Sequence, residues 1–273
     1  MPELSIRAST LQPSPFLLAQ VATSMGVPKA ALPILEELFA DQDSLGATPR
    51  RITNWLIESG IGPGSRVLDL GCGKGSVALS IARRCRAHVR GIDAFLPFIA
   101  HATRQAKDLN RSPRQAPRCE FVVGDLWAEQ SPRGRRYDAV VMLNIASTTD
   151  ALPLLRRLVK PAGLCVLDDA VDVSRIENLE PHGLPSIRDV RHEFRRASFE
   201  ILREHIFTPA QVRASAAAVT QALSRRVRAI RARQTTMGKV AQTCLDHHRA
   251  AAATLTGSIR PVVWMLRRAN RAS

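Results

Sequence analysis

The chain has 273 residues, of which 45% are hydrophobic, 23% charged and only 4% aromatic. That balance suits a globular chain with a sizeable core; it excludes a largely disordered chain and argues against a surface built on rows of base-stacking rings. The net charge is +15, and residues 210–273 hold twelve Lys/Arg against one acid, Asp246, so most of the excess belongs to one region.

No run of about 18 apolar residues occurs, which argues against a spanning helix. Residues 1–20 have prolines at 2, 13 and 15 where a signal peptide would have its apolar core. Cysteines 72, 85, 119, 165 and 244 are scattered, with no CxxC pair. They are expected to be reduced thiols of a cytoplasmic protein. A helix is expected over 33–40, opened by Pro33, followed by loop chemistry from Asp41 to Pro49. Thr48 reads as an N-cap with Pro49 at the first helical position, opening a helix through Ile52, Trp55 and Leu56. From there short apolar strands (66–70, 88–93, 119–124, 137–143, 164–168) alternate with helices (76–86, 95–109, 150–159). Such alternation predicts a doubly wound, mostly parallel α/β sheet with helices on both faces. Residues 111–118 read as a loop, and 171–190 as a loop with a short helical turn. Residues 199–207 read as a strand. Residues 209–253 read as helical, with Val219, Leu223, Val227 and Ile230 on one face and Arg225, Arg226, Arg228, Arg231 and Arg233 around much of the rest. Residues 259–266 would add the seventh strand, so that a helical insertion divides the last two.

The most informative stretch is Val67-Leu-Asp-Leu-Gly-Cys-Gly-Lys-Gly75, a strand entering a glycine turn before a helix. Bare backbone there lets a ligand lie where a Cβ would collide. The dinucleotide fingerprint G-x-G-x-x-G needs its third glycine one place later, and Asp69 would repel a pyrophosphate. A carboxylate at that place can instead hold the ammonium of an amino-acid tail.

With these residues the chain resembles the class I, seven-stranded, Rossmann-like S-adenosylmethionine-dependent methyltransferases, whose first motif is (D/E)-x-G-x-G-x-G. The resemblance implies S-adenosyl-L-methionine as cofactor, with Asp69, Gly71, Cys72, Gly73 and Gly75 forming the first contact. Asp93 and Ala94, at the end of the second strand, would meet the ribose. Gly124, Asp125 and Leu126 after the third would border the adenine, and Asn144 after the fourth would lie near the methionine moiety. Pro161-Ala-Gly163 resembles the family's P-G-G turn, with Ala162 as a departure. The implied organisation is an N-terminal helical cover (1–62), the cofactor-binding core (63–209), a basic helical lid (210–256), and the last strand with a basic tail (257–273).

Methyl transfer is an in-line displacement, so the protein chiefly aligns the acceptor and excludes water. If the acceptor needs a base, Asp168 and Asp169 at the end of the fifth strand are candidates. Adjacent strand residues face opposite ways, so one of the two is expected at the pocket. His182, in the loop that follows, is a third candidate. Lys74 reads equally as a cofactor contact or a solvated lysine; Phe95 and Trp127 read as adenine packing or ordinary burial. His247 and His248 have no third ligand at metal spacing, so no metal is assigned. Asn144-Ile-Ala-Ser147 lacks the Asn-Pro-Pro-Tyr type of amino-methylation motif. The leading expectation is a small-molecule acceptor, anionic if the lid arginines attract it. An RNA acceptor held by the basic C-terminal region is the alternative, and a non-enzymatic cofactor-binding or membrane-surface protein is a third reading.

Overall fold

The computed structural model describes residues 14–44, 48–110, 118–130, 136–174, 184–255 and 257–270; His182 and most of the 111–118 loop lie outside them. Seven strands form one sheet in the order β3-β2-β1-β4-β5-β7-β6. They are β1 (Arg66–Leu70), β2 (His88–Asp93), β3 (Cys119–Val123), β4 (Tyr137–Met142), β5 (Val159–Asp172), β6 (Phe199–Ile206) and β7 (Ile259–Arg268). The first five pair in parallel, whereas β7 runs antiparallel between β5 and β6. The order reverses between β1 and its two neighbours, β2 and β4, and ligands of doubly wound sheets bind beyond the strand ends at such a reversal.

Strand alternation builds two cores. Val67, Val89, Val141, Val166 and Met265 face one side, against α3 (Pro49–Glu58) and α4 (Ser76–Cys85). Leu68, Ile92, Val140, Leu167 and Trp264 face the other, against α6 (Thr148–Leu158) and α7 (Ile187–Arg196). A third cluster lies apart from the sheet. It joins Leu35 and Leu38 near the N-terminus, Phe95 and Phe98 at the start of α5 (Leu96–Asn110), and Leu223, Val227, Ile230, Cys244 and Leu245 of the insertion.

Several elements differ from their sequence reading. Residues 33–40 do not form one helix. A 3-10 turn, Lys29–Ile34, runs into the short α2 (Leu35–Leu38). Ahead of it α1 (Pro15–Ser24) was not legible, although Ser14 accepts from the Leu17 N–H and Pro15 suits the first turn. The fifth strand overruns its expected end by four residues because β7 pairs with it as far as Asp172 and Ile259. Part of the expected 171–190 loop is the start of α7, capped by the Ser186 side chain. The insertion is two helices, α8 (Pro209–Arg233) and α9 (Thr235–Thr254), divided at the extended residue Gln234. All five cysteines are buried free thiols.

Candidate active site

The glycine turn wraps the end of the neighbouring strand. Gly71 and Cys72 both donate their N–H to the Ile92 carbonyl, at 2.8 and 3.0 Å. Gly71 and Gly75 have φ of 69° and 81°, a region open to glycine. A Cβ on Gly75 would also come within 2.6 Å of the Phe121 ring and 2.9 Å of the Ala102 methyl. Asp93, the last residue of β2, fastens the turn: its carboxylate accepts from the Gly73 N–H at 2.8 Å and the Phe95 N–H at 2.8 Å. Burial pushes the Asp93 carboxyl up, and the N–H groups of Phe95, Gly73 and Ala94 hold it down.

Asp69 is 2% exposed, and its Oδ2 has no hydrogen-bond partner among the described residues. Burial pushes its carboxyl up to about 7; the Ala78 N–H opposes this, and the charge of Asp93 adds to it. A buried acceptor left open in this way calls for a donor, preferably a cationic one. The Cys72 thiol is pushed up by burial and by the Asp93 and Asp69 charges, so it is inert as a nucleophile.

These residues form the floor of a cavity of about 840 Å³. Asp69, Gly71, Cys72, Gly73, Asp93, Ala94, Leu126 and Asn144 all line it, as do Lys74 and Trp127. Its roof comes from Phe16, Leu17 and Val21 of α1 (Pro15–Ser24), Met25 just after it, Gln42, Val219 of α8, and His248 and Ala251 of α9. Three other motif residues serve the frame instead of the lining. Gly75 precedes α4, the Gly124 N–H donates to the Asp93 carbonyl, and the Asp125 side chain accepts from the Trp127 N–H.

The solvated reading of Lys74 is corrected: the side chain is buried and its Nζ donates to the Phe39 carbonyl at 2.6 Å, 5.8 Å from the Phe98 ring centre. Phe95 packs edge-on against Phe98, with centroids 4.8 Å apart, in the third cluster and away from the sheet. Neither Asp168 nor Asp169 is among the cavity's lining residues, although Asp168 bonds to Asn144, which is. Both acids sit within β5, opposite Val263 and Val262 of β7. Asp168 accepts from the Asn144 N–H at 2.7 Å and is pushed up to about 7, mainly by burial. Asp169 accepts from the Thr148 N–H and hydroxyl at 2.8 and 3.1 Å, tying down the start of α6.

Gln42 and His248 are cavity residues that sequence reasoning missed. His248 follows the buried Cys244 and Leu245 at i+4 and i+3, a helix-face signal that was readable. Its Nε2 lies 3.4 Å from the Ala216 carbonyl of α8. Among the described residues no group of His, Cys, Asp and Glu could hold a metal ion, and no helix is long and apolar enough to cross a membrane.

Three of the six arginines of α8 pair with the N-terminal segment. Asp41 accepts from Arg225 at 3.3 Å and from Arg226, and Glu37 pairs with Arg233. The N-terminal segment and the insertion, distant in sequence, are thus joined by the third cluster inside and ion pairs outside.

Residues 67–163 match a family model described as a methyltransferase domain. Over 183 residues, 59% of its length, the chain is 28% identical to cycloartenol-C-24-methyltransferase of Arabidopsis thaliana. It spans about half (53%) of that relative. A methyltransferase structure from Thiobacillus denitrificans, in complex with S-adenosyl-L-homocysteine, aligns with a TM-score of 0.68 at 18% identity, covering 85% of this chain and 97% of that one. A second such complex, from Geobacter sulfurreducens, aligns at 0.64 and 18% identity over 94% and 99%. At such identities the structural likeness establishes the common fold. Residues 67–163 thus match a methyltransferase domain, and the sheet order and structural likeness give the chain the class I, Rossmann-like methyltransferase fold.

Proposed function

We propose that the protein transfers a methyl group from S-adenosylmethionine to a small molecule held between the glycine turn and the roof of α1, α8 and α9. The observation that carries this reading is one continuous cavity whose floor holds the unpartnered Oδ2 of Asp69 and whose roof is mostly apolar. When bound, the cofactor supplies a methyl group already activated on a sulfonium. Asp69 takes its ammonium, and the backbone from Gly71 to Gly75 admits its tail. Asp93 keeps acceptor capacity for a ribose hydroxyl beyond the three backbone N–H groups of Phe95, Gly73 and Ala94. Ala94 and Leu126 border the adenine, with Gly124 and Asp125 holding the loop behind them, and Asn144, fixed by Asp168, faces the methionine side.

The roof excludes water and aligns the acceptor, which is where an enzyme assists a displacement of this kind. For an acceptor whose O–H or S–H must lose its proton, His248 is the base that already lines the cavity. The Arabidopsis relative, named for a small-molecule acceptor, supports the acceptor class. The ion pairs of Arg225, Arg226 and Arg233 speak against α8 as an RNA track. On this reading 1–62 and 210–256 are cover and lid for the 63–209 core, and 257–273 completes the sheet. The test is incubation with methyl-labelled S-adenosylmethionine and separated small-molecule and RNA fractions of a cell extract. Label in the small-molecule fraction is expected; label confined to RNA, or none in either, would refute the proposal.

A further inference from the structure

We propose that Gln42 binds the carboxylate at the amino-acid end of the methyl donor. The inference rests on the reading above and extends the site to a residue outside the glycine motif.

Eight buried side-chain N and O atoms have no hydrogen-bond partner among the described residues. Two of them belong to cavity-lining residues, and they are opposite in kind: the acceptor Asp69 Oδ2 and the donor Gln42 Nε2. Gln42 is 8% exposed, so its amide cannot be satisfied by bulk water. An α-amino acid tail carries both missing partners, an ammonium and a carboxylate, a few bonds apart.

The chain holds Gln42 beside the glycine turn. Its N–H donates to the Phe39 carbonyl at 3.0 Å, and the same oxygen takes the Lys74 Nζ at 2.6 Å from within the turn. Of the flanking residues, Asp41 is engaged with Arg225 and Arg226, whereas the exposed Asp43 also lines the cavity, its carboxylate 3.9 Å from His101. The ammonium answers Asp69, and the carboxylate answers the buried Lys74, whose charge also faces Asp43 and Glu36 and which keeps two N–H groups beyond the one on Phe39. A neutral amide at position 42 supplies a donor without a second cation.

A carboxylate on the acceptor would have the same chemistry, so the test separates the sources. S-adenosylhomocysteine, its decarboxylated analogue and 5′-methylthioadenosine, which lacks the amino-acid tail, are titrated calorimetrically into wild type, Gln42→Leu and Gln42→Glu. Both substitutions are expected to weaken S-adenosylhomocysteine by about ten- to a hundredfold, Gln42→Glu the more. Binding of 5′-methylthioadenosine should stay at the wild-type level, which also shows that the variants fold. Decarboxylated nucleoside should bind both Gln42→Leu and wild type alike. Equal loss for all three ligands, or none for S-adenosylhomocysteine, would overturn the assignment. So would unchanged S-adenosylhomocysteine binding with a raised KM for an anionic acceptor, which would give the carboxylate to the acceptor. A wild-type protein that binds none of the three would sink the methyl-donor reading along with it.

Discussion

Replacing Asp69 by asparagine should make the ligand-free protein more stable while weakening its hold on the donor. The carboxyl moves from an ordinary 3.8 to about 7 on folding, chiefly through burial. Between those values the folded chain keeps a proton that the unfolded chain has lost. Stability from this group is therefore full below pH 3.8 and is lost as pH rises through about 7. At 1.36 kcal/mol per pH unit, the ionised carboxylate costs the empty fold about 4 kcal/mol above pH 7. An asparagine amide avoids that charge but brings N–H groups that need acceptors, an offset of about 1–3 kcal/mol. The net gain at pH 8, about 1–3 kcal/mol, corresponds to a Tm rise of roughly 3–10 °C. Scanning calorimetry of both proteins from pH 4 to pH 8 should show the gap opening with pH. In parallel, wild-type affinity for S-adenosylhomocysteine should fall up to tenfold per pH unit below about 7, as Asp69 takes up its proton. The asparagine variant should lose both that slope and most of the affinity. A Tm gap that does not change with pH, or asparagine binding as tightly as aspartate at pH 8, would refute the reasoning.

Gly75→Ala should cost about 2–4 kcal/mol, since its Cβ would meet Phe121 and Ala102 at a left-handed φ; chemical denaturation giving a loss below about 0.5 kcal/mol would contradict the packing described. Asp41→Asn should release Arg225 and Arg226, so that limited proteolysis cuts α8 and α9 faster than in wild type; high salt should bring wild type to the same rate. With an O–H or S–H acceptor, His248→Gln should lower turnover by about a hundredfold or more while S-adenosylhomocysteine affinity holds; equal loss of both would mean that the roof had collapsed.

What the sequence disclosed depended on how local each constraint is. Asp69 and the turn to Gly75 were readable because positive-φ glycines and a carboxylate confine the ligand class within seven consecutive residues. The seven strands were legible by the same logic, from short apolar runs set between helical or loop segments. Asp168 and Asp169 read as a strand end, whereas the length of β5 is decided by β7, about 95 residues later in the chain, and the supposed end is strand interior. The roof was hidden for a similar reason. Leu35 and Leu38 acquire their environment only against Leu223 and Val227, and residues 15–24 carry no strong apolar period by which to be recognised. Charge gave the location of the arginines on α8 but not their partners, since Asp41 and Glu37 lie in another region of the sequence.

Placing β7 between β5 and β6 has a consequence for synthesis. Until residues 259–268 have left the ribosome, β5 has no neighbour on its outer side and β6 has nowhere to attach. A nascent chain therefore carries two open strand edges, a state prone to mispairing, throughout translation of α8 and α9. Clipping within the final strand would return a finished molecule to that state, making proteolysis there a route to aggregation more than a trimming of the tail.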